Sequence, residues 1–179
     1  MKLFLSLDVS ELKLDLKKLK VNLSKGKNFD FQWLPEEQRQ IPLVSLGEVD
    51  EESFQRIEPS LHSVAKQTRA FKLKFEGMSA YPDTKEARLL WVGVQNSKEV
   101  RALYEKMVAA LELHPEKEFK PYLPVVRLRN HREVSDILSP HKNTDFGKFT
   151  ITRLVVYEMT LGGAFPLYKK RGEYPLNPE

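Results

Sequence analysis

Gln40-Ile41-Pro42-Leu43-Val44-Ser45-Leu46-Gly47-Glu48-Val49-Asp50 has an echo downstream in Tyr122-Leu123-Pro124-Val125-Val126-Arg127. Each reads polar or aromatic, aliphatic, proline, aliphatic, so Gln40 matches Tyr122 and Pro42 matches Pro124. Side chains along a strand alternate between faces. Gln40 and Pro42 therefore share one face, as do Tyr122 and Pro124. Ile41, Leu43, Leu123 and Val125 point to the other, into a core. Two strands built alike imply two related half-domains facing each other, and the functional question lies in the gap between them.

Around these strands the chain reads as alternating elements. Lys2 to Asp8 is a buried strand. Ser10 can cap a helix running to about Val21, with Leu12, Leu16 and Leu19 at helical spacing, although Leu12, Leu14 and Leu16 also alternate as in a strand. Ser24 to Asn28 is a basic turn, and Phe29 to Trp33 a strand ended by Pro35. Gly47 should break the first motif strand. Asp50 caps a helix with Phe54, Ile57, Leu61 and Val64 on one face, and Pro59 should kink or split it. Ala70 to Phe75 reads as a strand, Met78 to Lys85 as a loop, and Ala87 to Val94 as an apolar strand. Ser97 caps a helix that buries Val100, Leu103, Tyr104, Met107 and Leu111 and stops at His114-Pro115. Phe119 to Leu128 is the second motif strand, and Asn130 to Ser139 a short helix with Val134 and Leu138 inward. Lys148 to Thr160 reads as one long strand. Gly162-Gly163 turns the chain into an edge strand over Pro166 to Tyr174, and the tail after it should fray.

Strand–helix–strand units repeated once point to an α+β fold with mostly antiparallel pairing. No glycine-rich loop opens a helix, which argues against a nucleotide-binding α/β fold. No low-complexity linker interrupts the chain, so residues 1–179 are expected to form a single two-lobed domain. Of the 179 residues, 41% are hydrophobic and 30% charged, the profile of an ordinary soluble, cytoplasmic protein, expected to be a monomer. The absence of cysteine excludes disulfides, thiolate metal sites and a thiol nucleophile. A net charge of +4 suits an anionic partner such as RNA without demanding one. Asp8 interrupts the apolar start, which argues against a signal peptide, and no apolar run approaches a membrane span.

With both motif strands in view, the chain resembles the two-histidine (2H) phosphoesterases, in the 2′-5′ RNA ligase / RNA 2′,3′-cyclic phosphodiesterase branch. Leu3-Phe4-Leu5-Ser6-Leu7-Asp8 resembles that family's opening strand, and Trp33-Leu34-Pro35 its lead into the first motif. Leu46 to Asp50 is close to the segment just after that motif. Leu90-Trp91-Val92-Gly93-Val94 resembles a strand between the lobes, and Phe119-Lys120-Pro121 the lead into the second motif. Phe146-Gly147-Lys148-Phe149 and Val155-Val156-Tyr157-Glu158 resemble the closing strands. The resemblance implies two mostly antiparallel sheets flanking a central cleft, with helices outside and the motif strands lining the cleft.

The family carries two copies of His-aliphatic-Thr-aliphatic. One histidine serves as general base, the other as general acid, and the threonines hold the phosphate. Here Gln40 and Tyr122 stand at the histidine positions, and Pro42 and Pro124 at the threonine positions. Imidazole suits this chemistry because its ordinary pKa lies near neutrality. An amide shuttles no proton, a phenol with a pKa of about 10 is a poor base, and proline has neither hydroxyl nor N–H. None of His62, His114, His131 and His141 has a threonine two residues on; Val64, Glu116, Glu133 and Asn143 stand there. No intact catalytic residue is expected. The resemblance leaves Arg127, which falls where the family keeps an arginine near the phosphate, as a ligand-binding candidate beside Tyr122 and Gln40.

The leading expectation is a degenerate member, inclining away from an enzyme, that binds an RNA or nucleotide bearing a terminal or cyclic phosphate. It needs no metal, cofactor or membrane. One alternative is an active phosphodiesterase or ligase with altered residues, Tyr122 serving as acid; another is a protein-interaction module with a closed cleft. The prolines read either as strands running along a cleft edge or as a pocket floor rebuilt as apolar, and their matched positions favour the second. Tyr122 either fills the vacated pocket, the commoner fate of an aromatic, or stacks on a base. Lys169-Lys170-Arg171 beside Tyr168, with Lys120, is a solvated charge run or a basic rim. Trp33, Trp91 and Phe149 read as core. The four histidines lack metal-site spacing and read as surface.

Overall fold

The computed structural model describes residues 1–25, 30–163 and 165–178. In chain order the elements are β1 (Lys2–Asp8), α1 (Lys17–Lys25), β2 (Phe31–Trp33), β3 (Gln40–Glu48), α2 (Glu51–Gln67), β4 (Phe71–Tyr81), β5 (Ala87–Val94), α3 (Lys98–Ala110), β6 (Tyr122–Arg132), α4 (Ser135–Leu138), β7 (Asp145–Ile151), β8 (Arg153–Leu161) and β9 (Pro166–Pro175). Short 3-10 turns cover Glu36–Gln38 and Ser139–His141. The strands form two sheets, one of four strands in the order β3-β1-β8-β9 and one of five in the order β2-β6-β5-β4-β7. All neighbours in both sheets pair antiparallel. The α+β architecture with two antiparallel sheets is therefore as the sequence implies.

Alternation builds both sheets. Leu3, Leu5 and Leu7 of β1 are wholly buried, and Ile41, Leu43, Leu123 and Val125 of the motif strands lie in the same hydrophobic cluster. That cluster draws side chains from both sheets and from α1, α2 and α3. The two long helices begin where capping chemistry says they should. The Asp50 carboxylate accepts the Ser53 N–H at 2.7 Å, and the Ser97 hydroxyl accepts the Val100 N–H at 3.3 Å. No helix among the described residues is long and apolar enough to cross a membrane.

Several elements depart from the sequence reading, each for a local reason. Ser10 opens no helix: its N–H donates to the Asp8 carboxylate at 2.9 Å in a turn, and the helix starts only at Lys17. Ser24 and Lys25 belong to that helix, and the remainder of the expected basic turn, residues 26–28, lies with Phe29 outside the described residues. Gly47 does not end β3; it sits in a register shift opposite Leu3 with φ 73°, a bulge rather than a break. Pro59, on the exposed face, leaves α2 continuous from Glu51 to Gln67. β4 runs on to Tyr81, past a bulge at Glu76-Gly77 and through the first half of the loop expected from Met78. α3 stops at Ala110, ahead of His114-Pro115, with Glu112 in the left-handed region at φ 52°.

β6 runs to Arg132, so only Ser135–Leu138 of the expected short helix is helical, with Val134 and Leu138 buried as read. The single long strand over residues 148–160 is two strands, since Thr152 carries the chain from β7 in one sheet to β8 in the other. The tail is tied down: the Leu176 N–H donates to the Thr152 carbonyl and the Asn177 N–H to Thr68, both at 2.9 Å. Trp33 and Phe149 pack half-buried against the core, and Trp91 is half-buried outside that cluster. His141 is not a surface residue but is buried in the turn that packs against Gly77.

Candidate functional site

The cleft forms where two strand edges meet. β3 is the outer strand of its sheet. β6 is flanked on its outer side only by β2, whose last pair is Trp33 with Val126; the Leu34 N–H then reaches the Val125 carbonyl at 3.0 Å. Tyr122, Leu123 and Pro124 thus lie beyond the end of β2. A proline inside a central strand removes a ladder hydrogen bond, and edges and bulges are where it is tolerated. Both prolines have both excuses. β1 pairs Leu5 with Val44 and Ser6 with Pro42, which leaves Leu43 as an extra residue. β5 pairs Leu90 with Val126 and Trp91 with Pro124, which leaves Val125 extra. Matching bulges directly after matching prolines account for both residues by strand geometry, the plainer of the two sequence readings.

The second bulge has a consequence for Arg127. Strict alternation from Tyr122 and Pro124 would turn Arg127 away from the cleft. The extra residue at Val125 shifts the count by one and brings Arg127 back to the cleft face. Gln40, Pro42, Tyr122, Pro124 and Arg127 consequently line one cavity of about 760 Å³, together with Phe4, Tyr168 and the loop from Leu113 to Lys120. Small-molecule sites span roughly 300–1,000 Å³. The cavity falls within that range.

The five residues differ in what they can offer. Gln40 is only 2% exposed. Its Oε1 accepts a hydrogen bond from the Ser6 hydroxyl, and its Nε2 donates to the Gln38 carbonyl at 3.4 Å. Both ends of the amide are thus engaged by the protein itself. Tyr122 is half-buried, its ring 6.2 Å from that of Trp91. Burial pushes its phenol above the ordinary value, with the Arg127 cation pulling partly the other way. Arg127 donates from Nη2 to the Tyr168 hydroxyl, and its guanidinium lies 5.8 Å from the centre of that ring. Its Nε is buried without a partner. Lys120 reaches the cavity, but the expected basic rim does not assemble beyond it. Lys170 pairs with Glu173, and Arg171 with Glu51 and Glu158. Among the described residues no group of three or more His, Asp or Glu side chains is placed to hold a metal ion.

Two contributors escape a reading of the sequence. Tyr168 reaches the cleft from β9 in the opposite sheet, and nothing local in Tyr168-Lys169-Lys170-Arg171 signals a cross-sheet partner. His114, grouped with the surface histidines, is exposed but lines the cleft from the loop after α3, beside Glu116 and Glu118. The early end of α3 frees that loop to reach the cavity.

Comparison with known proteins agrees with this architecture. The family described as the 2′-5′ RNA ligase superfamily matches residues 43–163. A protein of Archaeoglobus fulgidus named RNA 2′,3′-cyclic phosphodiesterase is 36% identical over 134 residues, covering 72% of this chain and 74% of that protein. Among solved structures, TT0787 of Thermus thermophilus superposes with a TM-score of 0.75 at 19% identity, over 100% of both chains. E. coli LigT complexed with 3′-AMP superposes with a TM-score of 0.69 at 17% identity, over 98% of this chain and 97% of LigT. LigT has also been crystallised with phosphate. At these identities the structural likeness carries the fold.

Proposed function

The chain belongs to the 2′-5′ RNA ligase superfamily, and on that footing we propose that its cleft binds the phosphate-bearing end of an RNA or a nucleotide without the paired-histidine chemistry of its relatives. One observation carries this reading: at the two matched cleft positions stand a buried amide with both ends hydrogen-bonded and a phenol held above its ordinary pKa. Neither moves a proton near neutrality. A positioned acid or base is worth roughly 10²–10⁴ in rate. The loss of both, with Pro42 and Pro124 in place of hydroxyl donors, leaves binding and positioning alone. Binding is supported by the open cavity and by Arg127, whose guanidinium can take an oxyanion in a charge-assisted contact. In this reading residues 1–179 act as one two-lobed unit, in keeping with a buried cluster drawn from both sheets.

Calorimetric titration of the purified chain with a short RNA ending in a 2′,3′-cyclic phosphate, and with its 3′-phosphate counterpart, tests the proposal. Salt-sensitive binding that weakens by at least tenfold in Arg127→Ala is expected. Absence of binding, or binding indifferent to Arg127, rejects it.

A second reading is favoured by a specific observation, the presence of His114 on the wall of the same cleft. It makes the chain an active cyclic phosphodiesterase with an altered proton-transfer set, in which Tyr122 donates and His114 serves as the base. Turnover of a nucleoside 2′,3′-cyclic phosphate, lost in both His114→Ala and Tyr122→Phe, would replace the binding-only reading.

A further inference from the structure

We infer that Tyr168 is the positioning residue for Arg127, a strut thrown across the cleft from the opposite sheet that fixes where a bound phosphate must sit; the inference rests on the binding function proposed above. Arg127 stands on β6 in the five-stranded sheet and Tyr168 on β9 in the four-stranded one. The phenol oxygen accepts from Arg127 Nη2, with the guanidinium carbon 5.8 Å from the ring centre, so the Tyr168 hydroxyl fixes one end of the cation.

Tyr168 is itself held from three directions. Phe4 meets its ring edge-on at 5.4 Å between centroids, and Tyr157 does so at 6.3 Å. The Gln38 side-chain amide donates to its backbone carbonyl at 3.2 Å. Gln38 in turn accepts from the Gln40 amide. Residues bonded in turn therefore link the first motif strand, through Gln38 and Tyr168, to Arg127 beside the second.

A long guanidinium side chain left free would lose substantial rotamer entropy on gripping a ligand. Here that ordering is done before binding. The same geometry buries the Arg127 Nε without a partner, so the contact with an oxyanion falls to the terminal nitrogens of the guanidinium. The oxyanion that fits is a phosphate seated between Arg127 and the wall formed by Tyr122 and Pro124.

A double-mutant cycle reads the coupling. Tyr168→Phe keeps the ring and its packing but removes the phenol oxygen. Binding of the phosphate-ended RNA is expected to weaken about tenfold, the scale of one hydrogen bond to a charged group, with the fold intact by far-UV circular dichroism. In an Arg127→Ala background the same substitution is expected to change affinity by less than about twofold, because the phenol acts only through the guanidinium. Equal losses in both backgrounds, or no loss in the native one, overturn the positioning role while leaving the binding proposal standing. Failure of the unsubstituted protein to bind, or binding indifferent to Arg127, removes both. Packing of Tyr168 alone cannot produce the expected pattern, because a packing effect does not depend on Arg127.

Discussion

Replacing Gln40 by leucine tests whether the amide at the first motif position is structural. Its Oε1 is the acceptor for the Ser6 hydroxyl, and both residues are almost completely buried, Ser6 at 0% and Gln40 at 2% exposed. Leucine fills much the same volume but accepts nothing, so the Ser6 hydroxyl is stranded. A buried polar group left without its partner costs about 1–3 kcal/mol, whereas replacing both partners with apolar groups of similar shape is close to neutral. For a chain of this size each kcal/mol shifts the melting midpoint by about 2–4 °C. Gln40→Leu should therefore melt about 2–12 °C below the native protein. Ser6→Ala should lose a comparable amount by stranding Gln40 Oε1. The double variant should recover most of the deficit instead of doubling it. Urea unfolding monitored by far-UV circular dichroism gives the three differences, with equal m-values confirming a common unfolded state. Strictly additive losses, or a neutral Gln40→Leu, would refute the account of Gln40 as an amide consumed by the fold.

Other outcomes follow from the same structure. Gly77→Ala should destabilise by about 2–4 kcal/mol in urea unfolding, because φ is +74° there and an added Cβ would lie 2.6 Å from the Lys142 carbonyl oxygen. Burial holds the His141 imidazole below its ordinary value, helped by Lys18 and opposed by Asp15. The unfolded chain thus takes up that proton first, and stability should fall as pH drops below about 6.5; His141→Leu should flatten that part of a pH–stability curve. Burial pushes the Asp8 carboxyl up, but the Ser10 N–H and the Arg153 side chain outweigh it and hold it below the ordinary value. Its contribution is present above about pH 4 and is lost as pH falls further through the folded-state value, so Asp8→Asn should lower stability at pH 7 and blunt the loss below about pH 4.

The strands were legible in the sequence wherever alternation was long enough to speak. Leu3, Leu5 and Leu7 and the two proline strands needed only the period of two, Ala87 to Val94 only its apolar run, and Asp50 and Ser97 named their helices by capping. What stayed hidden depends on contacts between distant residues or on small geometric shifts. The extra residues Leu43 and Val125 leave no local mark, yet Val125 decides that Arg127 faces the cleft. The alternation of Lys148 to Thr160 slips phase at Thr152-Arg153, with Phe149 and Ile151 before it and Leu154 and Val156 after it, but a one-residue slip reads as a bulge as readily as a change of sheet. Tyr168 and His114 join the site only by tertiary approach. The Asp8 carboxylate holds the Ser10 N–H in a turn, and the helix begins only at Lys17. The matched positions of Gln40, Pro42, Tyr122 and Pro124 were readable in the sequence, and the structure adds that they line a common cavity.

The most direct test of the central claim is a turnover assay with a nucleoside 2′,3′-cyclic phosphate at neutral pH, run beside a two-histidine relative under identical conditions. The account expects product formation indistinguishable from buffer, while the same preparation binds phosphate-ended RNA through Arg127. Turnover approaching that of the relative, abolished by Tyr122→Phe or His114→Ala, would contradict it.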